Sequence, residues 1–524
     1  MILVAKVDEM RQLDAVTINE LGVPGLVLME NAGRGVVDEL VDIFGDLYGL
    51  KIVIVCGRGN NGGDGFVVGR YLDSIGCDVD IHLACEEKAV KGDGKFQLGL
   101  VKKLGLPVMI IPEKGSLQKL RGSLAGADVV IDAILGTGAK GELSARLASI
   151  LSVLNEAEAF KLAIDAPSGV EMDTGSLMGE AFIADLTVTF GLPKRGHFLY
   201  PGNYYCGQLS VVDIGIPRKI LDASEISLAL VEDEDARSVL PVRPPDAHKG
   251  TCGTVLILAG SEGYTGAAAL AGQAALMCGA GLVHLGIPRS LNDILEAKLT
   301  EVITKPLPET EKRSLSIEAY ENIMALAEKA TCVAIGPGLG QHPETRKLVK
   351  KLLLGIDKPV VLDADGINAV ADDPAILSKR KSPTVITPHP GELGRMIAES
   401  PAAINSNRVE YSRRFARKWN VILLLKGAPT VTSRPDGFSC INSTGGPGLA
   451  SGGTGDVLTG AIPALISQGA DPFQAAVAAV YFHGLAGDSA AAETGDMGLT
   501  ASELIDYLPW VMAEPPEDEY EEDQ

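Results

Sequence analysis

Tryptophan is nearly missing from this chain. Trp419 and Trp510 are the two in 524 residues, and all aromatics together make up 5%. That argues against a surface that stacks bare nucleic-acid bases. Basic residues are also short, with 46 Lys and Arg against 68 Asp and Glu and a formal net charge of −22. So acidic a chain lacks the positive field that nucleic acid or an anionic membrane requires. A phosphate ligand must then be held locally, by backbone N–H groups, a helix N-terminus or a bound cation. The 8 cysteines include no CxxC pair and read as free thiols of a reducing compartment. No apolar stretch reaches the length of a membrane span. The first ten residues carry Lys6, Asp8 and Glu9, which does not suit a signal peptide, so a cytoplasmic location is expected. The run AEPPEDEYEEDQ at 513–524 reads as an acidic, disordered tail.

Glycine is what the chain has in plenty, 61 residues of it, alongside an ordinary 46% hydrophobic and 22% charged content. The length allows several domains at roughly 100–200 residues each. Two helical stretches in residues 1–50 precede the apolar, β-branched run Lys51–Cys56. A glycine-rich stretch follows, then a helical segment at 66–75. Further strand-like runs fall at 79–83, 108–112, 129–133, 162–165, 186–190 and 209–212. Strands alternating with helices predict an N-terminal α/β unit of the Rossmann-like, doubly wound kind. The pattern loosens near 217–240, where a linker is expected. A second α/β series begins at 254–259 and continues through 283–286, 332–335, 360–363, 384–387, 421–426 and 430–432. Helices are expected at 455–466 and 472–486. The expected domains are 1–220 and 221–512, followed by the tail.

The first glycine-rich stretch, GRGNNGGDG at 57–65, formally matches GxGxxG between a strand and a helix. Asp80 stands about where a ribose-binding acid would. The paired Asn60 and Asn61 and the acid Asp64 are additions to that fingerprint. Asn amides both donate and accept, and an acid in a phosphate cradle points to a nearby cation. Asp132 and Asp165 lie at two more strand ends, each before a glycine-bearing loop (ILGTG and APSG). In open α/β sheets ligands bind beyond the carboxyl ends of the strands, so these loops should converge. The alternative for Asp64, Asp132 and Asp165 is a role as helix caps.

Four motifs in order, LMENAGR at 28–34, GNNGGDGF at 59–66, DAILGTGAKGE at 132–142 and DAPSG at 165–169, resemble the NAD(P)HX epimerase family over about residues 1–215. Members interconvert the R and S hydrates of NADH and NADPH. The resemblance implies that Asn60, Asn61, Gly62, Gly63 and Asp64, with Gly136, Thr137, Gly138, Ala139, Lys140, Gly141 and Glu142, contact the hydrated dinucleotide. It implies a potassium ion on Asn61, Asp132 and Ser168, and Asp165 as catalytic acid/base at the reacting ring.

The second glycine-rich stretch, GGPGLASGGTGDVLTG at 445–460, opens a long apolar helix. Helix-start amides suit a developing anion, and Asp456 is placed to take a proton from a hydroxyl attacking a phosphate. The GTGD arrangement resembles the ribokinase-like phosphotransferases. Loops AIGPGLG at 334–340, LDADGIN at 362–368, TPHPGE at 387–392 and LKGAPT at 425–430 point the same way. His389 sits between two prolines, and Lys426 follows a strand where a phosphate-binding cation would stand. Asn442 reads equally as a nucleotide neighbour or a turn residue. With HKGTCGTVLILAGSEGYTGAAAL at 248–270, these motifs resemble the NAD(P)HX dehydratase family over about 240–508. The resemblance implies Ala267, Gly338, His389 and Asp456 on the S-hydrate. It places Lys426, Gly427, Ala428, Pro429, Thr430 and Gly455 on ADP or ATP, with Mg²⁺ on the phosphates and Asp456 catalytic. Together the halves are expected to repair NADHX and NADPHX as a homo-oligomer without nucleic-acid or membrane partners. The alternative is a vitamin-precursor or sugar kinase joined to a non-catalytic dinucleotide module.

Overall fold

The computed structural model describes residues 1–112 and 114–513, so the expected tail lies outside the described residues apart from Ala513. It separates into two compact units, Leu3–Ser227 and Leu228 to the C-terminus, with Met1–Ile2 belonging to the second.

The first unit is built on seven parallel strands: β1 (Lys51–Cys56), β2 (Asp78–Leu83), β3 (Val108–Ile110), β4 (Val129–Ala133), β5 (Phe160–Ile164), β6 (Leu186–Phe190) and β7 (Gln208–Val212). Their spatial order is β3-β2-β1-β4-β5-β6-β7. This is the Rossmann order, with the switch point between β1 and β4, where a crevice opens above the strand ends. Ile52–Cys56 and Val129–Ala133 are fully buried, because helices cover both faces of a parallel sheet and leave no side for alternation.

The glycine-rich stretch after β1 is largely helical, since the helix runs Asn60–Ser74 and takes in Asn60–Asp64. The glycines are there for close approach. A Cβ on Gly62 would stand 2.1 Å from the Gly57 carbonyl oxygen, and one on Gly65 2.6 Å from the Ala133 Cβ. Asp80 lies in the first half of β2, in register with Val53, so it is remote from the carboxyl ends and cannot be the ribose acid expected there. Strand polarity decides this: only residues at or just beyond Leu83 reach the crevice.

The second unit carries β8 (Leu228–Leu230), β9 (Thr254–Leu258), β10 (Leu282–Pro288), β11 (Ile303–Leu307), β12 (Cys332–Ile335), β13 (Val360–Leu362), β14 (Thr384–Ile386), β15 (Ile422–Leu425), β16 (Val431–Ser433) and β17 (Ser439–Ile441). With Ile2–Leu3 at one edge, the order continues β8-β17-β16-β15-β14-β13-β12-β9-β10-β11. The β15–β16 and β16–β17 pairs are antiparallel, and the other pairs from β8 to β11 are parallel. The expected linker at 217–240 instead carries the helices Arg218–Asp222 and Asp233–Arg237 and the strand β8. Three-residue strands such as β8 and β17 are too short to show a period, and this hid them. Helix Thr454–Ser467 packs so closely on helix Thr265–Met277 that a Cβ on Gly460 would stand 2.2 Å from the Ala271 carbonyl oxygen.

Candidate functional site

In the first unit a cavity of about 1620 Å³ opens over the carboxyl ends of β1, β4 and β5. Its wall includes Gly57–Asn61, Asp64, Gly136–Ala139, Asp165 and Lys194. Asp165 sits immediately after β5 with φ +62°, a left-handed conformation that a short polar side chain tolerates. That turn aims its carboxylate back into the cavity. Asp165 Oδ1 accepts from Lys194 Nζ at 2.8 Å and Thr189 Oγ1 at 3.0 Å, and Oδ2 from the Thr137 amide at 3.4 Å. Lys194 is 1% exposed and also donates to Thr189 and the Phe190 carbonyl. His197 accepts the Lys194 amide on Nδ1 and donates Nε2–H to the Asp165 carbonyl, which fixes a neutral tautomer. Burial alone would raise Asp165, but Lys194, with the Thr189 hydroxyl and His197 helping, holds the carboxyl below its usual range.

Behind the wall, Asp132 is fully buried and accepts from the amides of Ile134 (3.0 Å) and Ser168 (2.7 Å) and from Ser168 Oγ (2.7 Å). Burial still pushes it up to about 6, the amide bonds opposing. Asn61, 7% exposed, keeps both side-chain polar atoms without a partner. Gly136 lies against it, a Cβ there standing 3.3 Å from Asn61 Oδ1, while the neighbouring Leu135 amide donates to Ser168 Oγ. A buried carboxylate costly to ionise alone and, in the first turn of helix Asn60–Ser74, an unpartnered carboxamide oxygen are ligands of the kind a monovalent cation takes. Among the described residues no three His, Cys, Asp or Glu gather into a metal site. Gly62 and Gly63 pack inside the unit and Lys140, Gly141 and Glu142 lie off the cavity wall, with Lys140 paired to Asp173 at 3.1 Å.

In the second unit the organising residue is Asp363, which follows β13 and is 1% exposed. Its Oδ1 accepts from Lys426 Nζ and Thr387 Oγ1, both at 2.7 Å, and its Oδ2 from Thr459 Oγ1 at 2.6 Å. It thus joins the ends of β13, β14 and β15 to helix Thr454–Ser467. Lys426 is held above its usual range: burial opposes this, and Asp363 and Glu392 outweigh it. A Cβ on Gly455 would stand 3.5 Å from Lys426 Nζ, so the ammonium lies over the start of the helix that carries Asp456. Burial, with Asp363 adding and Lys426 opposing, pushes Asp456 up to about 7. Gly338 at φ +61° lies against Tyr264 and Ala267, with Cβ distances of 2.6 and 3.3 Å. His389, largely exposed, caps helix Pro390–Ile397 through Nδ1, and the Lys426 amide donates to the preceding Pro388 carbonyl. Gly338 thus meets Ala267 on helix Thr265–Met277, and Lys426 joins the Pro388–His389 loop to the start of helix Thr454–Ser467, which carries Gly455 and Asp456.

A family model described as NAD(P)H-hydrate dehydratase matches residues 255–510, and one described as YjeF-related protein N-terminus matches 25–196. The bifunctional NAD(P)H-hydrate repair enzyme Nnr of Moorella thermoacetica is 43% identical over 505 residues, 96% of this chain and 95% of that protein. This chain belongs to the bifunctional NAD(P)H-hydrate repair enzyme family. The family member from Thermofilum pendens is 40% identical over 97% of the chain and 95% of its own length. Among solved structures, the ADP/ATP-dependent NAD(P)H-hydrate dehydratase of Bacillus subtilis, co-crystallised with ATP/Mg²⁺, is 35% identical and covers 54% of this chain and 97% of itself, with a TM-score of 0.47.

Several residues of this repair family chain act through others and had no motif to reveal them. Arg408, 5% exposed, donates to the carbonyls of Leu425, Lys426 and Pro429 and so fixes the Lys426–Thr430 loop. His483 is buried with Nε2 2.8 Å from the Thr454 carbonyl, and burial lowers it to about 4, so it is neutral and donates there. Asn442 spends its amide on Thr444 (2.8 and 3.2 Å), which favours the turn role. No helix among the described residues is long and apolar enough to cross a membrane.

Proposed function

We propose that this chain returns hydrated NADH and NADPH to use in two steps, epimerising R- and S-NAD(P)HX in the 1–220 region and dehydrating the S-hydrate with ADP or ATP in the 221–512 region. The epimerisation is hemiaminal chemistry. The ring nitrogen's lone pair expels the neighbouring hydroxyl, and water re-adds from either face. Asp165, ionised beside Lys194, stabilises the cationic ring between these events. Asn60, Asn61, Asp64 and Gly136–Ala139, which line the cavity, are the proposed dinucleotide contacts, while Gly62, Gly63 and Lys140–Glu142 lie off its wall. Asn61, Asp132 and Ser168 would hold potassium, whose charge offsets pyrophosphate in an acidic protein.

In the second unit the hydrate's hydroxyl is turned into a phosphate leaving group. Asp456 takes the hydroxyl proton while the terminal phosphoryl of the nucleotide transfers to that oxygen in line. Lys426 and the amides at the start of helix Thr454–Ser467 receive the phosphoryl charge. The Lys426–Thr430 loop and Gly455 are the proposed nucleotide contacts, and Ala267, Gly338 and His389 those of the S-hydrate. Mg²⁺ bound by the phosphate oxygens would neutralise part of their charge. Phosphate then leaves with the push of the ring nitrogen, and loss of a neighbouring proton restores the nicotinamide double bond.

The observation that carries this reading is Asp456 in the first turn of a helix over whose start the Lys426 ammonium lies, itself anchored by Asp363, with burial pushing the Asp456 carboxyl up to about 7. A general base works best with a pKa near the operating pH. Incubation of the chain with S-NADHX, Mg²⁺ and ADP or ATP tests it. NADH should appear with one nucleotide hydrolysed per NADH formed, and a stable phosphorylated product would favour the kinase alternative instead.

A further inference from the structure

The cavity of the first unit holds a carboxylate that precedes the matched region 25–196. Helix Val7–Asn19 turns Val7, Met10, Arg11, Asp14 and Ile18 toward the cavity, a spacing that defines one helical stripe. Arg11 is engaged with Asp8 at 3.0 Å on its own helix. Asp14 stands on an otherwise apolar side of the stripe, and its Oδ1 is buried without a hydrogen-bond partner. An unpaired buried carboxylate oxygen costs about 1–3 kcal/mol, so an apolar residue would serve this helix better. Positions where a sequence works against its own packing are where function is to be sought.

The charged groups facing Asp14 are Lys194 and Asp165, with Asp64 contributed by helix Asn60–Ser74. Lys194 is already spent on Asp165. The oxygens of Asp165 accept from Lys194, Thr189 and Thr137, so that carboxylate has no proton to give. Expelling hydroxide from the hydrate nevertheless requires a proton donor at the departing oxygen. We propose that Asp14 is a second catalytic carboxylate of this site, giving its proton to the departing hydroxyl and taking one back when water re-adds. This rests on the epimerase reading above.

The step balances. The C–O bond breaks with its electron pair on oxygen, and the Asp14 proton joins that oxygen to make water. The ring nitrogen's lone pair forms the C=N bond. Attack by water on the opposite face re-forms C–O and returns the pair to nitrogen, and the surplus proton passes through cavity water to the Asp14 carboxylate. Nothing is oxidised or reduced. The two carboxylates divide the labour: burial raises Asp14, with Lys194 opposing and Asp165 adding, while Asp165 is lowered. Two acids pushed apart by their surroundings are how one site supplies both a donor and an ionised stabiliser.

The test uses the full chain without nucleotide, following R-to-S conversion by chromatography of the epimers across the pH range in which the protein stays folded. Asp14→Asn should lower kcat about 10²–10⁴-fold with KM within about threefold, and should remove the fall of kcat with rising pH expected of the unaltered protein as Asp14 ionises. An Asn variant within threefold of the unaltered protein, with the same pH profile, overturns the proposal. So does a loss that appears in KM or in the melting temperature alone. Should the variant fail to fold, the unaltered protein decides: kcat falling with pH along one ionisation supports a protonated donor, and a flat profile overturns it. Failure of the epimerase reading itself looks different, because then the unaltered protein would not interconvert the epimers.

Discussion

Asp456→Asn is the substitution that isolates the phosphorylation step, because it keeps the side chain's size and removes its basicity. General-base catalysis contributes about 10²–10⁴-fold, or about 3–5 kcal/mol of barrier. Nucleotide-dependent NADH formation from the S-hydrate should therefore fall by that factor, while R/S interconversion, in the other unit, stays unchanged. The unaltered protein should gain kcat as pH rises through about 7, where Asp456 ionises. The same carboxyl predicts a stability change of opposite benefit. Its folded pKa lies above the 3.8 of the free group, so the protonated form favours folding. That contribution is complete below about pH 3.8 and is lost as pH rises to about 7. The full shift corresponds to about 4 kcal/mol, which partial solvent access at the helix start reduces to roughly 2. The Asn variant should accordingly melt above the unaltered protein at pH 8, with the gap closing toward pH 4. Absorbance of NADH and a thermal melt at the two pH values are the assays. An Asn variant with kcat within tenfold of the unaltered protein would refute the assignment of the base.

Asp165→Asn suits the left-handed backbone at that position and should abolish epimerisation while S-hydrate dehydration persists, measured with each pure epimer. Potassium should stabilise the first unit over tetramethylammonium by RT ln(1 + [K⁺]/Kd), read as a higher melting temperature, and Asn61→Ala should remove most of that difference. Gly460→Val would push a side chain into the Ala271 carbonyl and should destabilise the second unit by at least about 1–3 kcal/mol in denaturant unfolding.

Much of this arrangement was legible because it is local. A β-branched run, then glycines, then a helix is a short pattern, and β1 with helix Asn60–Ser74 is that pattern. The acids after β5 and within helix Thr454–Ser467 were visible for the same reason. What stayed hidden depends on partners far along the chain. Asp363 reads as one acid in LDADG until Lys426 and Thr459 close on it across 63 and 96 residues. Lys194 and Arg408 are ordinary cations until their burial is known. Asp80 failed as a ribose acid because sequence spacing gives distance along a strand but not which end faces the ligand.

The central claim is tested most directly by one assay. The full chain is given a mixture of R- and S-NADHX with Mg²⁺ and ADP or ATP, and NADH is followed to completion. The account predicts that both epimers are consumed and that NADH reaches the total hydrate supplied, whereas the Asp165→Asn chain stops at the S fraction. No NADH above the nucleotide-free control would contradict it.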